Sequence, residues 1–301
     1  MPDRRLLLAL FLSVTCPVAW AQLPAGGEFQ VNSYTPNRQG PPAMASDMSG
    51  NFVVVWLSSG QDGSADGVFG QRFSAAGVPQ GTEVQVNSYT TSDQWGPAVA
   101  SDANGNFVVA WFSKGQDGSA YGVFGQRFAA SGLPQGGEFQ VNSYTTGDQY
   151  LPAVASDANG NFVVVWYGSG QDESDYGVFG QRFDASGGPQ GSEFRVNSYT
   201  AAGQRNPAVA SDANGHFVVV WMSNGQDGSL FGVFGQRFDA SGIPQGGEFQ
   251  VNSYTTGNQY RPAAASDASG NFIVVWVSSG QDGSADGVFG QRFAASGLPQ
   301  G

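Results

Sequence analysis

Cysteine and histidine are almost missing from this chain: among 301 residues there is one of each, Cys16 and His216. A single thiol excludes a disulfide framework, and with a single imidazole it leaves no material for Cys- or His-based triads or for a zinc site. Basic side chains are scarce too, with Lys plus Arg numbering 12 against 24 Asp plus Glu, a net charge of −12. That balance opposes nucleic acid and anionic lipid as partners and tolerates cations better. The one long apolar run, Leu6 to Val14, falls short of the roughly 18 residues a spanning helix needs, so membrane insertion is not expected. Helices are nearly excluded as well, because glycine numbers 45 and no segment keeps a helical apolar period.

The segment "MPDRRLLLALFLSVTCPVAWAQ" has a basic start, that apolar stretch and an Ala19-Trp20-Ala21 cleavage pattern. Residues 1–21 therefore read as a signal peptide and 22–301 as the mature chain. The location implied is secreted, periplasmic or cell-surface. Since Cys16 leaves with the signal, the remainder must be stabilised by packing alone.

What the chain does possess is a repeat. Trp56, Trp111, Trp166, Trp221 and Trp276 recur every 55 positions, with no insertion or deletion between copies, and the units begin near 27, 82, 137, 192 and 247. Each unit holds four strand candidates, "PAVAS", "NFVVAW", "GVFGQRF" and "EFQVNSY" in the second copy, bounded by Gly, Pro, Asn and Asp clusters. The Asn104-Gly105 pair between the first two suits a tight hairpin, both residues tolerating positive φ. Five copies of four antiparallel strands predict an all-β, five-bladed β-propeller. Residues Glu28 to Tyr34 lack preceding partners and are expected to pair with Gly287 to Phe293, completing the last blade and closing the ring. An open array is the alternative.

At "GVFGQRFDASG", "EFQVN" and "FVVVW" the sequence resembles a group of exported bacterial tandem-repeat proteins, over everything that follows the signal peptide. The resemblance implies a surface or secreted location and a propeller-like array, sometimes beside calcium-binding repeats, but no particular activity. The Asp-Ala-Asn-Gly-Asn turn looks like a shortened calcium loop of the FG-GAP propellers. The expected architecture is similar to five-bladed tachylectin-type lectins.

Several repeated residues read as structural. Arg72, Arg127, Arg182, Arg237 and Arg292 lie inside the third strand and are expected to pair with a carboxylate, such as the Glu that follows. Asp47, Asp102, Asp157, Asp212 and Asp267 read as stabilisers of the hairpin turn, and His216 as a turn variant. In the Gly-rich GQDGS loop the acidic groups are better placed for Ca2+: Asp62 with Asp66, Asp282 with Asp286, and Asp172, Glu173 and Asp175 in the third copy. Apart from this possible calcium ion no cofactor is implied.

Differences between copies carry functional information. The second-to-third-strand connection varies at Leu57, Phe112, Tyr167, Met222 and Val277, and again at Asp66, Tyr121, Tyr176, Phe231 and Asp286. The connection into the first strand varies at Gly40, Trp95, Tyr150, Arg205 and Tyr260. In an up-and-down blade both connections emerge on one face of the disc, which makes that face the expected binding surface. Its candidate residues are Trp95, Tyr150, Tyr260, Arg205, Tyr121, Tyr176 and Phe231, joined by the loop carboxylates Asp62, Asp117, Asp172, Asp227 and Asp282. The reading that results is a monomeric, non-enzymatic module for a glycan or protein ligand, glycan slightly favoured. The enzyme alternative is carboxylate-based glycan chemistry, which needs two acids roughly 5 to 10 Å apart.

Overall fold

The computed structural model describes residues 26–172 and 175–301. It divides into two compact units, residues 1–30 and Val31–Gly301. The expected signal peptide and Glu173 lie outside the described residues. Of the first unit, residues 26–30 form no strand. The second unit carries the repeats, and every element in it is a β-strand.

Five four-stranded sheets follow one another along the chain. Blade one is β1 (Gln39–Ser46), β2 (Phe52–Ser59), β3 (Asp66–Phe73) and β4 (Val84–Gln85). Blade two is β5 (Gln94–Ser101), β6 (Phe107–Lys114), β7 (Tyr121–Phe128) and β8 (Phe139–Gln140). Blade three is β9 (Gln149–Ser156), β10 (Phe162–Ser169), β11 (Tyr176–Phe183) and β12 (Phe194–Arg195). Blade four is β13 (Gln204–Ser211), β14 (Phe217–Asn224), β15 (Phe231–Phe238) and β16 (Phe249–Gln250). Blade five is β17 (Gln259–Ser266), β18 (Phe272–Ser279), β19 (Asp286–Phe293) and β20 (Pro299–Gln300). All neighbours within a sheet are antiparallel and sequential, the up-and-down order expected from the repeat.

The hairpin turn is built differently from the expected one. Only Gly105 of the Asn-Gly pair takes a positive φ, 85°. The Asp102 N–H and Asn106 carbonyl close the loop at 2.9 Å, and Oδ1 of Asp102 accepts the N–H groups of Asn104 and Asn106 at 2.8 and 2.9 Å. A turn ending in a left-handed glycine needs one permissive residue, because the Asp side chain organises the rest. In blade four His216 Nδ1 meets Asp212 at 2.8 Å where the other copies use Asn.

The outer strand is also shorter than "EFQVNSY" suggested, two residues per blade. Its pairing stops because Asn87 takes over with its side chain: Oδ1 accepts the Val68 N–H at 2.7 Å, and Nδ2 donates to Gln94 Oε1 at 3.1 Å in the next blade. Both side chains are buried and mutually satisfied, so the polar link costs little, and it recurs between Asn142 and Gln149, Asn197 and Gln204, and Asn252 and Gln259.

Apolar packing between blades forms the core. Apolar residues on both faces of each second strand explain the uninterrupted "NFVVVW" runs, and Trp111, Trp166 and Trp221 are wholly buried there. The strand arginines contribute by a route the sequence reading did not anticipate. Arg127, Arg182 and Arg237 each donate to a backbone carbonyl of the following blade, at Ala185, Ala240 and Ala295, at 2.7 Å, and Arg72 does the same to Ala130. The glutamates instead accept from backbone: Glu138 takes the Ser88 N–H and Glu193 the Ser143 N–H, each at 2.6 Å.

The segment expected to close the ring is used otherwise. Val31 packs under blade one, and Glu83 of that blade holds the Ser33 N–H at 2.7 Å, as Glu138 holds Ser88 in the next blade, so residues 31–34 take the place of the outer-strand end of a preceding repeat. In blade five, β19 pairs with β18 and β20. The seam between blade five and blade one is open. Each inner strand lies against the next from β1 through β17, and no comparable contact returns from β17 to β1.

Candidate functional site

The variable face is shaped by a bulge near the start of every inner strand. In blade two, Gln94 and Trp95 pair with Ser113 and Phe112, after which the register shifts before Ala98. A proline follows the bulged residue in each copy and offers no N–H to the ladder. The residue before that proline has positive φ in four blades: Gly96 at 59°, Leu151 at 44°, Asn206 at 53° and Arg261 at 53°. Non-glycine residues reach this region only under constraint, and here the preceding side chain reaches the neighbouring blade: Trp95 meets Asp66, Tyr150 meets Tyr121 and Arg205 meets Tyr176.

The side chains so aimed are Trp95, Tyr150 and Arg205, and together with strand residues they form one continuous row. Trp95 stacks on Tyr121 at 6.2 Å between ring centroids, and Tyr121 meets Tyr150 of the next blade at 5.0 Å. Tyr150 continues to Tyr167 at 5.6 Å and Tyr167 to Tyr176 at 5.4 Å. Arg205 of blade four closes the row, its guanidinium 4.3 Å from the Tyr176 ring centroid. Phe112, buried, forms the floor beneath Trp95, Tyr121 and Tyr150. The other rings are half-buried, one edge packed and one open to solvent.

Carboxylates flank this row. Asp66 of blade one accepts Trp95 Nε1 at 2.6 Å and a hydrogen bond from Ser59. Asp148 is hydrogen-bonded by Tyr150, and Asp175 is ion-paired with Arg205. Burial first, then the bond to Asp148, pushes the Tyr150 phenol well above its ordinary range. Burial also raises Tyr167, opposed by Arg205. Both phenols therefore remain neutral hydrogen-bond donors at any physiological pH.

Of the predicted residues, Trp95, Tyr121, Tyr150, Tyr176 and Arg205 are thus brought together. Phe231 stands outside the row. So does Tyr260, whose hydroxyl donates to Asp286 at 2.9 Å within blade five. Bonds from Ser279 and Tyr260 hold the Asp286 carboxyl below the usual range. The five GQDGS aspartates are not gathered at the row. Asp62, Asp117, Asp227 and Asp282 each accept the N–H two residues ahead, at 2.9 to 3.0 Å. Their other oxygen lies over the glycine at the second position of the following strand, as that of Asp172 does at Gly177.

The expected calcium pairs are divided between these uses, Asp62 and Asp282 folding into the loop while Asp66 and Asp286 bond side chains across the face. Asp172 and Asp175 part in the same way, Asp175 being held by Arg205. Among the described residues no group of three or more His, Cys, Asp or Glu forms a metal-binding cluster. Phe112 and Tyr167 were missed as site residues. The signal that singles them out is their position opposite Trp95 and Tyr150 in the register.

Clefts open on the other face, between adjacent blades, with volumes of about 470, 400, 300 and 200 Å³. Asp157 and Arg182, which line the largest, are already committed to the hairpin turn and to the Ala240 carbonyl. These clefts are the furrows a repeated blade leaves.

No family model matches the sequence, and no curated protein matches it. Among solved structures, an alpha-L-arabinanase from Penicillium chrysogenum complexed with arabinobiose superposes with a TM-score of 0.59, at 16% identity, over 89% of this chain and 81% of that one. The fold is a five-bladed propeller. An endo-arabinase from Bacteroides thetaiotaomicron reaches 0.49 at 12% identity, covering 84% and 93% of the two chains. An alpha-L-arabinofuranosidase from Lactobacillus brevis reaches 0.48 at 11%, covering 87% and 93%. At such identities the likeness is one of propeller frame. The expectation of a non-enzymatic binding module is corrected to this extent: the arabinanase is an enzyme built on the same frame, which is the alternative kept beside that expectation.

Proposed function

We propose that this protein is a glycan-active enzyme working through carboxylates, with the aromatic row of the variable face as its substrate platform. The observation that carries the reading is the unbroken sequence of rings from Trp95 to Tyr176, crossing blades two and three and flanked by Asp66, Asp148 and Asp175. Aromatic faces cover the apolar C–H surface of a sugar, and neutral phenols and carboxylates serve its hydroxyls. A row longer than one ring favours a chain of sugars over a monosaccharide.

Asp148, beside Tyr150 at the middle of the row, and Asp66, at its Trp95 end, are the carboxylates this reading assigns as acid and base, an assignment that requires the two to lie within roughly 5 to 10 Å of each other. One carboxyl protonates the leaving oxygen, and the other activates water or attacks the anomeric carbon. The reading takes residues 1–21 as an export signal, in keeping with a polymeric substrate outside the cell.

The test is product release from arabinan and arabinobiose by the wild-type chain, Asp148→Asn and Asp66→Asn. Loss of acid–base catalysis lowers turnover by about 10²- to 10⁴-fold while polysaccharide binding persists. Tyr150→Ala is expected to weaken binding as well. Wild-type protein that binds arabinan but never cleaves it, or Asn variants that cleave as fast as wild type, would reject the assignment.

A further inference from the structure

The two sheet faces at the open seam are the faces that meet at every internal junction. At the four junctions the third-strand valines, Val68, Val123, Val178 and Val233, are fully buried, whereas their fifth-blade counterpart Val288 is 78% exposed. On the second strand, Val218 and Val220 are 4% and 0% exposed, while Ile273 and Val275 of blade five stand at 40% and 37%. On blade one the exposure is confined to the inner strand: Val99, Val154 and Val209 are 9% exposed and Met44 in the same position is 65% exposed, while Trp56, Phe69 and Phe73 stay buried in a cluster with Val31. Val68 and Val99 share one apolar cluster, as do Val123 with Val154 and Val178 with Val209. Met44 and Val288 are therefore the two halves of one repeated contact, separated at the seam. Arg292, the fifth of the strand arginines, lies exposed at the same edge.

We infer that the seam is an interaction surface for a second copy of this chain, blade one of one molecule seating on blade five of another. The four internal junctions show which chemistry covers such a face, namely another repeat of the same sequence presenting its inner strand. The molecule's own blade one does not cover this face, β17 and β1 making no contact comparable with those between neighbouring inner strands. Contiguous apolar surface of this kind is not normally left to water. The interface pairs unlike faces, so it is head-to-tail and propagates into rings or filaments rather than stopping at a dimer.

The experiment uses the full chain in a Cys16→Ser background, so that introduced thiols are the only ones. Met44→Cys and Val288→Cys single variants, mixed and oxidised, are expected to give a disulfide-linked heterodimer, and the double variant a ladder of linked oligomers. In parallel, wild-type protein is expected to gain mass with concentration in sedimentation, and Val288→Asp, a change at an exposed position, to abolish that gain. A double variant linked only within single chains would overturn the inference in favour of ring closure. Wild-type protein that stays at single-chain mass at all concentrations, with no link between mixed variants, would overturn it equally.

Discussion

Alanine placed at one repeated glycine should cost very different amounts in different blades. Gly125 in β7 faces Phe139 of β8 across the ladder, and a Cβ there would lie 2.8 Å from Phe139 Cζ; the equivalent approach is 2.9 Å at Gly180 and 2.8 Å at Gly235. The ring has little room to withdraw, because Phe139 packs 5.4 Å from Phe183 of the following blade, and Phe194 and Phe249 sit 5.5 Å from Phe238 and Phe293. Blade one has Val84 in place of the phenylalanine, and a Cβ at Gly70 comes no closer than 3.2 Å to any atom, Val55 Cγ1. Overpacking a full core costs about 1–3 kcal/mol. Removing a strand glycine returns roughly 0.5–1 kcal/mol of backbone entropy where space allows. Gly125→Ala, Gly180→Ala and Gly235→Ala should thus each destabilise by about 1–2 kcal/mol, and Gly70→Ala should be near neutral. Denaturant titration with a check that the slope is constant measures the difference, and Phe139→Leu added to Gly125→Ala should recover much of the loss. Equal costs at Gly70 and Gly125 would refute the idea that the aromatic ring is what demands glycine.

Two further outcomes follow from individual groups. Burial opposes ionisation of Glu83, but hydrogen bonds from Ser33 and Gln61 outweigh it and hold the carboxyl below its ordinary 4.5. Its contribution is therefore present above that value and lost as pH falls through the lower folded value, so the Ser33 amide resonance should titrate in that acid range; a resonance that does not move, or that moves identically in Glu83→Gln, would count against the contact. Leu151, held at φ 44° and 40% exposed, carries backbone strain that glycine would relieve. Leu151→Gly should raise stability by about 1 kcal/mol, and a lower melting temperature would show that its side chain matters more than its backbone.

Most of the frame was legible because it is local. Alternating Gly, Asn and Asp clusters mark every turn, and the apolar "NFVVVW" runs mark the strands buried on both faces. The outer strand was overestimated since a side chain, Asn87, replaces backbone pairing there, and a strand propensity has no way to register that substitution. The arginines were assigned to carboxylates on charge alone, yet the acceptor that geometry offers is a carbonyl in the next blade.

The candidate site was legible only in its ingredients. Variation between copies singled out Trp95, Tyr121, Tyr150, Tyr176 and Arg205 without indicating that they touch. Those contacts cross from blade to blade, between residues such as Tyr121 and Tyr150 or Tyr176 and Arg205, and they depend on the bulge that turns each side chain toward its neighbour. The sequence by itself determined the all-β repeat, its strands and turns, and which face of the blades varies, because hydrogen bonding and apolar pattern within one repeat are enough to do so. The tertiary structure alone decided which aromatic rings join into a row, which aspartates fold inward, and that the seam stands open. Each of those depends on the rotation between blades, a sum of packing across four junctions that no single repeat encodes.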